Sequence, residues 1–340
     1  MHSEERMNLT MIRFAEILLE SHPTPFWDML KQVGVTEVVG VLPRNSMDWR
    51  GVTIDHPWDY TPLAVYKEMM EEEGFTLSAI EDNPPMDRLR YGIAGAEEEF
   101  EAVSILIQNM GRLGIPVWCY NWAAAINWQR TSSRLRGRGG AVVSGYRNDL
   151  VGQNPAPLMG PIDRETLWKT LGRFLQRIVP IAEKAGVKLA MHPDDPPVIP
   201  QIRGVSRIMN SLSAFEHLLS LVPSEVNGIT LCQGNFTLMT DNLPRTIREF
   251  VATKRVFFVH FRDVRGQPEH FMETFIDEGQ TDMVECMRAY HAAGFDGIMR
   301  TDHTPTLAGD DAEVPGYSIL GRLHALGYMT GVRQAVLSES

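Results

Sequence analysis

The stretch GITLCQGNFTLMTDNLPRTIREFVATKRVFFVHFRD, residues 228–263, holds one complete structural repeat. Two apolar runs, GITLCQG (228–234) and RVFFVHFRD (255–263), flank a segment with helical apolar spacing over 244–252. The runs are continuous rather than alternating, the pattern of parallel strands covered on both faces. The same strand–helix–strand rhythm extends in both directions. Upstream, strands are predicted at 9–15, 36–42, 75–81, 116–122 and 188–193, and one more follows at 297–303. Between and after them, helices are predicted at 24–33, 61–73, 96–113, 164–185, 206–222, 280–293 and 316–331. Gly34, Gly114, Gly186 and Gly294 stand just ahead of the next strand, where a helix ends in the left-handed conformation. Eight strands alternating with eight helices predict an α/β fold, a single-domain (β/α)8 TIM barrel over residues 1–340. An open doubly wound sheet is the competing architecture, but no GxGxxG or Walker loop follows a strand to favour it.

One segment breaks the rhythm. Residues 124–162 are rich in Gly, Ser, Arg and Pro and too long for an ordinary βα loop. They leave the fourth predicted strand on the face where barrel active sites sit. The expectation is a lid or substrate loop; a disordered or oligomer-contact insertion is the alternative.

Composition narrows the function classes. A chain of 340 residues, 44% hydrophobic, can bury a large core without disulfides. The net charge of −11 and a pI near 5.4 argue against general affinity for nucleic acid or an anionic membrane, both polyanions. The three cysteines, Cys119, Cys232 and Cys286, make no disulfide framework. No signal-like run opens the chain and no apolar stretch of about 18 residues would span a bilayer. The expectation is a soluble, cytoplasmic protein. Trp58 and Trp128 are candidates for a homodimer face or a pocket rim.

Potential metal ligands fall at corresponding places in the repeat. His192, Cys232, His260 and Asp302 end or nearly end the last four predicted strands, each about one βα unit from the next. Side chains at the C-terminal ends of neighbouring barrel strands converge on one mouth. Two imidazoles, a thiolate and a carboxylate suit a divalent transition metal and leave positions open for substrate. Singly, a strand-end His is more often structural and a buried Cys a small hydrophobe; four at the same end of consecutive strands are hard to explain as packing. Cys119, with no His near it in sequence, and Cys286, inside a helix, read as structural. Asp194 or Asp195 is a candidate to orient His192. Arg262 shares a strand face with His260 and suits a substrate carboxylate, or else a charge-balancing pair with Asp194 or Asp263. His303 beside Asp302 is the natural general acid or base, and Tyr317 can reach the same mouth.

The pieces LAMHPDDPP (189–197), LCQGNF (231–236), VHFRDV (259–264), RTDHTPTLAGD (300–310) and PGYSILGRLHALGYMTGV (315–332) resemble the mannonate dehydratase family. That family belongs to the xylose-isomerase-like barrels. CYNWAAAINWQRT (119–131) is similar to its strand-4 motif. The resemblance implies dehydration of D-mannonate to 2-keto-3-deoxy-D-gluconate with Mn2+, Fe2+ or another divalent metal being possible, in hexuronate degradation. It implies that His192, Cys232, His260 and Asp302 ligate the metal and that His303 and Tyr317 act in catalysis. Candidate substrate contacts are Arg262, Tyr120, Asn121 and Arg13, the last being all that remains here of the family's Arg-Trp-Tyr-Gly. The family's histidines after strands 2 and 3 are missing from GVLPRNS (40–46) and EDNPPMDR (81–88). Alternatives are a metal-dependent isomerase or epimerase of the same superfamily, which usually favours carboxylate ligands over Cys, and a non-catalytic sugar-acid-binding barrel.

Overall fold

A computed structural model describes residues 12–44, 55–153, 157–310 and 314–339. In chain order its strands are β1 (Arg13–Leu18), β2 (Glu37–Gly40), β3 (Thr76–Glu81), β4 (Val117–Tyr120), β5 (Ser132–Arg136), β6 (Val142–Arg147), β7 (Lys188–Met191), β8 (Gln201–Ile202), β9 (Val205–Ser206), β10 (Asn227–Cys232), β11 (Val256–His260), β12 (Val264–Gln267), β13 (His270–Glu273) and β14 (Ile298–Arg300). A closed barrel forms in the order β1-β14-β11-β10-β7-β4-β3-β2. Every adjacent pair is parallel. This is the (β/α)8 barrel expected from the alternation.

The continuous apolar runs serve two cores at once. Ala15, Ile17, Val39, Ala79, Cys119 and Phe258 fill the barrel interior. Their strand neighbours, such as Val38, Leu77, Trp118, Leu189 and Leu231, pack outward against the helices. Small residues on some strands leave room for Phe258 on another, as a closed interior requires.

Helix ends follow their local chemistry. The helix Arg164–Ala185 starts where the Asp163 side chain accepts from the Thr166 amide, and Gly186 closes it. All four predicted helix-ending glycines take positive φ, between 70° and 83°. Several predicted bounds shift. The helix expected over 206–222 begins only at Leu212, because β8 and β9 form a small hairpin and Ser211 supplies the cap. Gln233 and Gly234, expected in a strand, open a helical turn Gln233–Phe236. β11 stops at His260 rather than 263, because the chain turns into the β12–β13 hairpin. The last helix runs Ile319–Ser338. Part of the first predicted strand, residues 9–11, lies outside the described residues; β1 extends to Leu18 because the apolar run continues. Among the described residues no helix is long and apolar enough to cross a membrane.

The insertion is built rather than loose. Its β5 and β6 form an antiparallel hairpin, and β6 pairs with β13 to make a four-stranded sheet in the order β12-β13-β6-β5. Val142 also bridges Thr306, in the loop after β14. The sheet thus caps the barrel at the ends of the strands that carry the predicted ligands. Residues 154–156 of the insertion lie outside the described residues.

Candidate metal centre and active site

Parallel pairing brings the strand ends level. Cys232 lies opposite His260, and Glu81 opposite Cys119. His192 follows β7 directly, and Asp302 stands two residues past β14. The ring nitrogens His192 Nε2 and His260 Nδ1 are 3.3 Å apart. Asp302 Oδ2 lies 3.6 Å from His260 Nδ1 and 3.9 Å from Cys232 Sγ. His192, Cys232 and His260 offer donor atoms all within 4.8 Å of one another. Donors bound to one ion at about 2.0–2.3 Å are held at such mutual separations, and N, S and O atoms together suit a divalent transition metal. The residues therefore fit the metal that the resemblance implies.

The surroundings fix the charge states. Burial opposes ionisation of Asp302, but His303, Arg300, His260 and Arg262 outweigh it and hold the carboxyl well below the usual range. Burial lowers His192 as well. Its Nδ1 lies 2.7 Å from the Pro193 carbonyl, so the backbone orients this ring, and neither Asp194 nor Asp195 does. Asp194 instead accepts from the Met209 amide, and Asp195 pairs with Arg130 and Arg262. Glu81, buried but held below its usual range by Arg300 and His260, lies 3.3 Å from His260 Nε2. The two stand close without a well-aligned hydrogen bond, since His260 Nε2 has no hydrogen-bond partner among the described residues. Arg300 binds Glu81 through two nitrogens and reaches Asp302 Oδ1 at 3.0 Å, so one guanidinium ties two sides of the centre together.

His303 and Tyr317 flank Asp302. Tyr317 donates to Asp302 Oδ1 at 2.8 Å, and burial together with the Asp302 charge pushes the phenol well above its usual range. Burial pushes His303 down to about 4, leaving a neutral imidazole at neutral pH. A cavity of about 310 Å3 opens over these groups, lined also by Asn83, Asn121, Asn127 and Trp128. Its volume suits a six-carbon acid, and its amides suit hydroxyl groups.

Three sequence expectations are corrected. Arg13 sits at the N-terminal end of β1, paired with Glu37 at 2.7 Å, on the barrel face opposite the mouth. The Tyr120 ring points outward from β4, stacked on Trp118 at 4.5 Å, because alternation sends Cys119 inward instead, although the residue still borders the cavity. Cys119, read as structural, lies in space beside His260 and Glu81 in a second close group. It accepts a hydrogen bond from Thr230, and burial keeps the thiol well above its usual range and therefore neutral. Arg262 spends all five N–H donors on Cys232, Glu273, Asp195 and Asn235. None is left for a substrate carboxylate. Asn121 does line the cavity, with its side-chain oxygen taken by Arg90.

The sequence reading passed over Glu81, Arg300, Arg130 and Glu273. Glu81 and Arg300 were accessible to the rule used for the ligands, since each ends a barrel strand. Arg130 and Glu273 carry no such signal; only the capping sheet brings them together, 2.6 Å apart.

A sequence model of the D-mannonate dehydratase family matches residues 27–160 and 157–340. The chain is 30% identical to the mannonate dehydratase of Thermotoga neapolitana, over 93% of this chain and 95% of that one. Identity is also 30% to mannonate dehydratase 2 of Halalkalibacterium halodurans, over 84% of this chain and 90% of the relative. The crystal structure of mannonate dehydratase from Streptococcus suis serotype 2 superposes with a TM-score of 0.86 at 27% identity, covering 97% of this chain and 94% of that one. An L-ribulose 3-epimerase, at 14% identity, a TM-score of 0.61 and 97% coverage of each chain, shares the barrel alone.

Proposed function

Because the chain belongs to the mannonate dehydratase family, we propose that this mouth removes water from D-mannonate to give 2-keto-3-deoxy-D-gluconate. By its family the protein is a hydro-lyase. The observation that carries the reading is that Tyr317 and His303 meet the two oxygens of Asp302, at 2.8 and 3.6 Å, beside the His192, Cys232 and His260 donors.

His192, Cys232, His260 and Asp302 would hold the ion, Mn2+ in our reading with Fe2+ as the alternative. When bound there, a divalent ion supplies Lewis-acid stabilisation of the charge that develops on the substrate carboxylate as C2 loses its proton. Unprotonated at neutral pH, His303 is suited to take that C2 proton. Tyr317, still carrying its proton, is suited to give it to the departing C3 hydroxyl, which leaves as water. The enol that remains ketonises in solution. Trp128 lines the cavity on the side of the insertion. We assign the step to hexuronate degradation in the cytoplasm, a reading supported by three buried, unpaired thiols.

Metal analysis followed by an assay for 2-keto-3-deoxy acids over a panel of aldonates tests this. D-mannonate should be dehydrated, chelation should abolish turnover and added Mn2+ restore it. His303→Asn should cost about 10²–10⁴-fold in turnover with metal content unchanged, the usual worth of a positioned proton-transfer group. Turnover of that variant within tenfold of wild type, or an epimerised acid as product, would overturn the reading.

A further inference from the structure

Among the described residues, no hydrogen bond orients the imidazole of His303. Its Nδ1 is buried without a partner among the described residues, and its Nε2 lies 3.6 Å from Asp302 Oδ2. A histidine that transfers protons is ordinarily held by a hydrogen bond at its second nitrogen. Here aromatic packing stands in that place. The Trp128 ring lies 5.2 Å from the imidazole with only 13° between the planes, and Tyr317 meets it edge-on at 5.5 Å. His303 itself sits at φ 46°, a left-handed conformation rare for histidine. Gly316 gives it clearance, since a Cβ there would fall 2.9 Å from His303 Nδ1.

Trp128 is well placed to impose an orientation because its own backbone is clamped. On one side Arg207, 1% exposed, donates to the Ile126, Asn127 and Asp195 carbonyls. On the other, the Gln129 amide bonds the Asp195 carbonyl at 3.1 Å. Arg130 binds Asp195 and Glu273 and lies 4.9 Å from the Trp128 ring. The indole is therefore the end of a rigid arm, 40% exposed and lining the cavity.

We propose that Trp128 is a positioning residue for His303: the insertion reaches across the mouth to hold the imidazole by stacking, in place of a hydrogen-bonded carboxylate. The proposal rests on the dehydratase reading for its kinetic consequence, but the stacking itself does not depend on it. Removing the ring frees the imidazole to rotate and exposes its face, which lowers the fraction in the reactive orientation without removing any metal ligand.

Steady-state kinetics on D-mannonate and labelling by diethyl pyrocarbonate, read at residue 303 by peptide mass spectrometry, test it on the metal-loaded enzyme. Trp128→Ala should lower kcat about 10–100-fold with KM within threefold, and His303 should label about tenfold faster. Trp128→Phe, which keeps an aromatic face, should recover both to within about threefold; Trp128→Leu, which fills volume without a ring face, should not. The proposal is overturned if Trp128→Ala labels at the wild-type rate, if Leu serves as well as Phe, or if the loss falls on KM alone. Should the wild-type enzyme dehydrate no aldonate, the function reading fails while the labelling comparison still decides the stacking.

Discussion

At the scale of single residues, the site is held by buried charges that leave one another no freedom. Arg130, Asp195, Arg262 and Glu273 form a closed set with contacts between 2.5 and 2.9 Å and exposures of 1% to 5%. Arg262 extends the set to the ligands, with Nε 2.9 Å from Asp302 Oδ2 and 3.3 Å from Cys232 Sγ. Breaking a buried ion pair by removing one partner strands the other charge in a poorly solvating interior, at about 3–5 kcal/mol. Arg262→Met should lose about that much stability in urea unfolding. A loss below about 1 kcal/mol would mean that water or Arg130 compensates. Asp195 connects the set to pH. Burial resists its ionisation, but Arg130 and Arg262 hold it below the usual carboxylate range.

At the scale of elements, the capping sheet depends on one close approach. Gly145 in β6 packs so tightly that a Cβ would lie 2.5 Å from Leu135 Cδ1 and 2.9 Å from the Phe271 carbonyl. The first contact is across the hairpin to β5 and the second across the sheet to β13, so no single rotamer change relieves both. Overpacking of this kind costs about 1–3 kcal/mol. Gly145→Val should loosen the cap while the barrel, whose pairings it does not touch, stays folded. Trypsin should then cut faster at Arg134, Arg136 and Arg138, with the far-ultraviolet circular dichroism unchanged. Cleavage at the wild-type rate would show that the sheet absorbs the side chain. The same element explains why the insertion read as loop: β5 is SSRLR and largely exposed, and β6, VVSGYR, is largely buried but interrupted by Ser144 and Gly145. Strand propensity is weak there and pairing with β13 decides the outcome.

At the scale of the whole molecule, stability is tied to carboxylates that only folding brings beside arginines. A carboxyl whose folded pKa lies below its unfolded value of about 4 binds fewer protons in the folded state. Its stabilisation is complete above that pH and is lost as pH falls through and below it. Asp195 has this sign. Asp263 has the opposite one: burial raises it to about 6, so its contribution is present at low pH and lost as pH rises through 6. Asp195→Asn should therefore be destabilised by about 2–3 kcal/mol at pH 7. The gap to wild type should shrink as pH drops below about 4, followed by urea unfolding at a series of pH values. A gap independent of pH would mean that the loss comes from packing rather than charge.

How much of this was legible follows the range of each interaction. Alternation of apolar runs with amphipathic segments, and glycines where helices end, are local signals, so the barrel was readable from the chain. Barrel geometry then converts position along a strand into position at the mouth, which is why His192, Cys232, His260, Asp302 and His303 could be placed without any contact information. The same rule applied to Glu81 and Arg300 would have found them. The family resemblance, not that rule, suggested Arg13 and Tyr120; Arg13 begins its strand rather than ending it, and the Tyr120 ring faces outward because Cys119 takes the inward face. Side-chain partnership is different in kind. That Arg262 is saturated by Glu273 and Asp195, 11 and 67 residues away, and that Trp128 lies on His303 across the mouth, depends on how the barrel and its capping sheet fold together. Local sequence therefore determined the scaffold and its ligand-bearing ends. Only the tertiary structure decided which charges cancel and which ring holds the imidazole, because those contacts form between segments that carry no sequence signal of one another.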